Sequence, residues 1–229
     1  MIADFTRTIL AAGVTTLLLA FASLVLATLL GLVAAYCKLS RSRFLRSGAQ
    51  VYTFVVRGIP DLVVMLLVYY SLPSLLNQLA DNADLDIRVE FSPLFAGIVT
   101  LGLIFGAYMT ETFKAALMNI PKGQIEAAVA YGLRPWRIFT HIVLPQMIRL
   151  ALPGFTNNWL VLVKATALVS LIGLQDVMFR AKGAAEATGK PFTFYLVAAG
   201  FYLTVTILSM LVLMRIAQRF ERGTRELSR

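Results

Sequence analysis

The chain has 229 residues, 59% of them hydrophobic and 14% charged, whereas a soluble domain carries about 25% charged residues. Too few charges remain to cover a water-facing surface, so a single polytopic membrane domain with no soluble domain is expected. With one cysteine in the chain, Cys37, no internal disulfide and no thiolate metal site is available.

Met1 to Thr8 precedes a first predicted span over about 9–37, which is free of charge. Its apolar run is about twice the length of a signal-peptide core, and basic residues follow rather than precede it. Lys38 to Gly48 forms a polar connection. A second span, over about 50–76, carries Gly58, Pro60 and Pro73, which predicts a kinked or broken helix. The acidic connection Asn77 to Ser92 leads to a third span over about 93–117. There Gly102, Gly106 and Thr110 recur every four residues, a small-residue stripe that admits a neighbouring helix at close range. A polar loop covers 119–149, and a fourth span follows over about 151–174. The connection from about Gln175 to Lys190 contains Gly183 and Gly189, and a fifth span over about 192–216 ends in a basic tail.

Threading five spans alternately places Lys38, Arg41, Arg43 and Arg46 on the same side as Lys114, Lys122, Arg134, Arg137 and Arg149. The tail residues Arg215, Arg219, Arg222, Arg225 and Arg229 join them. Asp81, Asp84, Asp86 and Glu90 fall on the other side. Basic residues are retained in the cytoplasm during insertion, so the amino terminus is expected outside and the carboxyl terminus inside. The net charge of +9 is then accounted for by topology and anionic lipid, and nucleic acid is not an expected partner.

The loop 119–149 holds the densest pattern in the chain. Glu126-Ala127-Ala128 is followed after three residues by Gly132, and after nine more by Ile142-Val143-Leu144-Pro145. Alanines before the glycine and apolar residues after it suit two short helices, with Gly132 permitting a sharp reversal. Pro135 suits the first turn of the second helix, and Pro145 is expected to interrupt that helix before span four. Arg134 and Arg137 supply exposed charge.

This spacing resembles the signature loop of ABC-transporter permease subunits, and every fixed position is filled. Further segments narrow the likeness: Arg57-Gly58-Ile59-Pro60-Asp61-Leu62, Gly106-Ala107-Tyr108-Met109-Thr110-Glu111, Asn157-Asn158-Trp159 and Lys164-Ala165-Thr166-Ala167-Leu168-Val169-Ser170. Together they resemble the polar amino-acid importers, most closely the histidine/arginine/lysine/ornithine type. The resemblance implies an all-α, type I ABC importer permease fold in a bacterial cytoplasmic membrane. It also implies a second permease subunit (identical or similar), two ATPase subunits and an external substrate-binding protein. The loop residues Glu126, Ala127, Ala128, Gly132, Arg134, Arg137, Leu144 and Pro145 would form the coupling element seated on the ATPase. No cofactor is expected in this chain, ATP and magnesium belonging to the partner ATPase.

Arg57, Asp61, Glu111 and Lys164 lie in or beside apolar spans, where each costs roughly 2.5–3.5 kcal/mol at a helix centre. One reading pairs them: Arg57 with Asp61 four residues on, and Lys164 with Glu111 across two spans. The other lines a substrate cavity with them. Arg57 would fork onto a carboxylate, Glu111 or Asp61 would attract a cationic side chain, and Thr110, Asn157 and Asn158 would add hydrogen bonds. His141, the single histidine, reads as an amphipathic-helix residue.

An enzyme is not expected, because the chain has no phosphate-binding Gly-Lys-Ser/Thr loop. The alternatives to a permease for basic amino acids are a permease for opines or glutamine/glutamate, and a stand-alone proton-coupled carrier. Inverted repeats are not visible, and five spans are few for such a carrier.

Overall fold

The computed structural model describes residues 2–221, so Arg222, Arg225 and Arg229 of the tail lie outside the described residues. Every regular element among them is helical: α1 (Ile2–Ala11), α2 (Gly13–Leu39), α3 (Arg43–Gly58), α4 (Asp61–Leu66), α5 (Leu72–Asn82) and α6 (Pro93–Met118). These are followed by α7 (Lys122–Ala130), α8 (Pro135–Ile138), α9 (Leu144–Ala165), α10 (Val177–Thr188) and α11 (Pro191–Glu221). Among the described residues, five helical stretches are long and apolar enough to cross a membrane: Ile2–Leu39, Asp61–Asn82, Pro93–Met118, Pro135–Ile172 and Pro191–Phe220.

The frame is the pair α2 and α6, which make the most extensive contact in the molecule. The small-residue stripe is the reason. A β-carbon on Gly102 would come within 2.5 Å of the Leu26 side chain, and one on Gly106 within 3.0 Å of Leu30 Cβ. On the facing helix, a β-carbon at Gly31 would lie 2.8 Å from Met109 Cβ. With side chains removed from the seam, the two backbones approach and dispersion contacts replace lipid. Helix α9 packs on another side of α6, where Gly154 sits against Thr112. Buried Trp159 closes that layer against Phe21, with ring centroids 5.0 Å apart.

Three helical boundaries differ from the sequence expectation. The predicted span 50–76 is broken where its glycine and proline lie, as expected, but the membrane-length helix starts at Asp61 rather than near 50, and α3 ends separately at Gly58. Ile59 and Pro60 are both extended, at φ −103° ψ 138° and φ −57° ψ 135°, because the residue before a proline is driven out of the helical region.

Pro145 does not interrupt its helix. A π-helical turn at Phe139–Val143 directly precedes it, and the helix continues from Pro135 to Ile172. The wider turn relieves the loss of a backbone donor at proline. Pro153 likewise lies inside α9 rather than at the start of a span.

The connection 175–190 is mostly helix α10, begun by an Asp176 side-chain cap and ended at Gly189 with φ +67°.

Candidate functional site

Two regions carry the residues singled out in the sequence. The first is the loop between α6 and α9. Helix α7 ends in a reversal at Gly132, whose φ of +73° lies in the left-handed region that glycine adopts without steric cost. The Gly132 N–H donates to the Val129 carbonyl at 2.9 Å and the Leu133 N–H to Ala128 at 3.1 Å, a pairing that closes the exposed carbonyls of a helix end. Helix α8 then begins with Pro135 in its first turn. The Gln146 amide donates to Gln124 Oε1 at 2.8 Å, tying α7 to the foot of α9.

Of the predicted coupling residues, Glu126, Ala127, Arg134, Arg137 and Pro145 are exposed, Leu144 is half-buried and Ala128 is buried. They therefore form one loop with an open face. That face is also apolar: Tyr131 is 85% and Trp136 72% exposed, with Val129 and Phe139 beside them. Exposed aromatics rimmed by arginine are the composition of a protein interface rather than of a solvated loop. His141 Nδ1 lies 3.2 Å from the Arg137 carbonyl and 2.8 Å from Thr140 Oγ1, consistent with a local helix role.

The second region is the set of intramembrane polar residues, and the structure sorts it differently from either pairing drawn from sequence. Arg57 and Asp61 are four residues apart, but the break at Ile59–Pro60 separates them and no ion pair joins them among the described residues. Arg57 instead lies over the Tyr108 ring, its Cζ 5.1 Å from the centroid. This cation–π contact leaves the guanidinium edge open.

Glu111 does not bridge to Lys164. Its carboxylate is ion-paired with Lys38, at the end of α2, and with Lys114 at 3.8 Å one turn along α6. The Lys38 ammonium, 7% exposed, also donates to Thr53 on α3 at 2.6 Å. Lys38 and Arg57, with Gln50, Thr53, Phe54, Gly58 and Tyr108, line an open recess of ≈580 Å³.

Thr110 is fully buried and donates to the Gly106 carbonyl at 2.7 Å, within its own helix. Asn158 donates to Thr112 Oγ1 at 3.1 Å across the α9–α6 seam. Asn157 and Lys164, seven residues or about two turns apart, are both exposed, with exposed Val161 between them. They form one face of α9, and α4 packs against α6 and the 3-10 turn Thr166–Ile172 that follows Lys164.

Sequence reading missed Lys38, Tyr52, Tyr108 and Thr112. Tyr52 donates from α3 to the Leu103 carbonyl of α6 at 2.7 Å. Tyr108 and Thr112 lie in or next to the family-like segment that closes span three, but no local pattern names a partner. Each of the four gains its role from a contact at least 46 residues away in sequence or from the break in span two.

Known proteins carry the same architecture. Residues 27–225 match the family described as binding-protein-dependent transport system inner membrane component. The chain is 46% identical over 225 residues to the histidine/lysine/arginine/ornithine transport system permease protein HisQ of Salmonella typhimurium, covering 98% of each chain. It is 40% identical to the arginine ABC transporter permease protein ArtQ of Haemophilus influenzae, over 98% of this chain and 99% of that one. The octopine transport system permease protein OccQ of Agrobacterium tumefaciens is 38% identical over 208 residues, 91% and 88% of the two chains. Among solved structures, an amino acid ABC transporter crystallised with histidines superposes with a TM-score of 0.80 at 28% identity, over 95% and 96% of the chains. The MetNI methionine transporter, at 18% identity and a TM-score of 0.66, shares the fold.

Proposed function

The chain belongs to the family of binding-protein-dependent transport system inner membrane components, and from that premise we propose that it is the membrane subunit of an ATP-driven importer for basic amino acids. The observation that carries the proposal is the open aromatic face of the loop α7–Gly132–α8, set at one end of the five-span bundle. An ATPase seated there moves the loop as a lever on α9, because α8 runs into α9 without a break in the helix. Closure of two ATPase subunits then biases the spans between inward- and outward-open states. ATP and magnesium are held by those subunits, and this chain supplies pathway and lever. A second permease subunit completes the channel, an external binding protein delivers the substrate, and the amino terminus lies outside.

The relatives HisQ and ArtQ support a substrate that is a basic amino acid. The residue chemistry supports the same class. Arg57 and Lys164 offer cations for an α-carboxylate, Asp61 offers an anion for a cationic side chain, and Asn157 adds neutral hydrogen bonds. Thr110, Glu111 and Asn158 act in the frame instead, since each is engaged by a neighbour. Octopine is a second reading, favoured by the 38% identity to OccQ.

The test is purification of the tagged chain from its native membranes, with identification of what accompanies it, followed by ATP hydrolysis and uptake in liposomes. Recovery of an ATPase and substrate-stimulated hydrolysis are expected. A lone chain that transports under a proton gradient, without ATP, would overturn the proposal.

A further inference from the structure

The described residues form two apolar cores. The larger joins α2, α4, α6 and α9. The smaller, at the end of the bundle opposite the coupling loop, joins α1, α10 and α11 through Ile9, Val177, Ala181, Ala184 and Phe194. The seam between them is polar. The Val177 N–H donates to Thr16 Oγ1 on α2 at 3.2 Å, and Thr166 Oγ1 lies 3.4 Å from the Tyr202 hydroxyl of α11.

Asp176 sits in that seam, fully buried. Its Oδ1 accepts from the Phe179 N–H at 2.8 Å, capping α10. Its Oδ2 is buried and has no hydrogen-bond partner. The smaller unit is joined to the bundle on two sides. One is Ala12, through which α1 runs into α2 with the helical hydrogen bonds kept, Ala12 N–H to the Thr8 carbonyl and Thr16 N–H to the Ala12 carbonyl. The other is the stretch from Gly173 (φ +92°) to Gln175, between the 3-10 turn and α10.

We propose that Asp176 is a proton-operated latch between this unit and the bundle: protonation of Oδ2 holds α1 and α10 packed, and ionisation loosens them. A buried carboxylate oxygen with no donor costs free energy that water can remove only by entering the seam. A protonated Oδ2 carries no charge, so its enclosure no longer strands an ion in the seam. Burial pushes the Asp176 carboxyl up to about 6.

Few other groups compete for control. Tyr202, from α11, is the titratable side chain within electrostatic reach. Helix α2 and the 3-10 turn present Thr16 and Thr166. On α10, Arg180 is turned to the Gln175 amide oxygen at 2.6 Å, and Asp4 and Arg7 of α1 are exposed.

The direction follows from the raised value. The packed state holds the proton more tightly than an opened state with an ordinary carboxyl, so packing is favoured at acid pH. The advantage is complete below the ordinary value near 3.8 and is lost as pH rises through about 6. Between pH 8 and pH 5 the packed-to-open ratio should rise about tenfold.

The test is hydrogen exchange of the full chain in lipid nanodiscs at pH 5 to 8, corrected for the intrinsic pH dependence of exchange. Protection of the amides of α10 is expected to rise about tenfold toward pH 5, with the α6 amides unchanged. Asp176→Asn keeps the capping oxygen and replaces Oδ2 by a neutral donor, so its α10 protection should be high and independent of pH. Infrared titration of the wild-type chain gives a second readout, a protonated-carboxyl band with a midpoint near 6 that the Asn variant lacks. Flat wild-type protection, or the same pH dependence in Asp176→Asn, would overturn the latch. If the variant does not fold, the wild-type exchange and infrared midpoint decide alone.

Discussion

Glu111 of α6 is ion-paired to Lys38 at the end of α2, and Lys38 is almost wholly enclosed. The pair therefore fastens the two frame helices near the end that carries the loop α7–Gly132–α8. Removing one partner strands the other, which costs more than the pair itself contributes. Glu111 is 35% exposed, so solvent offsets part of that cost. Glu111→Gln should destabilise the chain by about 1–3 kcal/mol, read as a lower unfolding temperature in nanodiscs. The double variant with Lys38→Met should lose less than the sum of the two single losses. Additive losses would show that the pair is not coupled.

Lys164 and Asn157 share an open face of α9 and have no structural partner among the described residues that their removal would strand. Lys164→Ala is expected to leave ATPase assembly and folding intact and to raise the KM for arginine uptake roughly tenfold, as loss of a charge-assisted hydrogen bond does. An unchanged KM would place the substrate path elsewhere. Glu111→Gln, by contrast, should act on stability with little effect on KM.

At Gly132 the left-handed backbone excludes a branched side chain on steric grounds. Nothing crowds the site, with no atom within 4 Å of a built β-carbon, so the effect is one of conformation and not of packing. Gly132→Val should redirect α8, abolish substrate-stimulated ATP hydrolysis and uptake, and leave membrane insertion normal. Uptake at the wild-type rate would contradict the lever.

Trp136 is the largest exposed side chain on the same face. Aromatic anchors dominate interface energetics. Trp136→Ala should weaken recovery of the ATPase on purification by about 2 kcal/mol, or roughly thirtyfold in affinity, without lowering the unfolding temperature of the isolated chain. Equal recovery would show that the exposed tryptophan does not meet the ATPase.

Gly31 tests the frame directly. A methyl there meets Met109 Cβ and backbone at 2.8 and 3.2 Å, atoms that cannot swing aside. Gly31→Ala should cost about 1–3 kcal/mol through overpacking, seen as a lower unfolding temperature. Gly102→Ala meets Leu26 at Cδ2 and Cγ, which can rotate, and at the fixed Cβ only at 3.0 Å, and should cost less.

Much was legible from the sequence because it depends on local chemistry. Apolar runs reported the spans, since each must bury its backbone in lipid whatever its neighbours do. The spacing from Glu126 to Pro145 reported two short helices reversed at one glycine, and Gly132 took the conformation that only its missing side chain makes easy. The break near Pro60 was legible for the same reason. What one chain segment cannot encode is the identity of a distant partner. Glu111 could be matched by charge with Lys164 or Lys38, and only the parallel packing of α2 and α6 chose Lys38. Arg57 and Asp61 had helical spacing, yet the break between them removed the shared face and gave Arg57 to Tyr108. Asp176 lay in a polar connection with no pattern around it, and only the meeting of α2, α10 and α11 made it a buried carboxylate. Periodicity and motif thus determined the elements and the family. Long-range packing decided which charges are spent on the frame and which remain open, because pairing depends on distances between helices that no local pattern records.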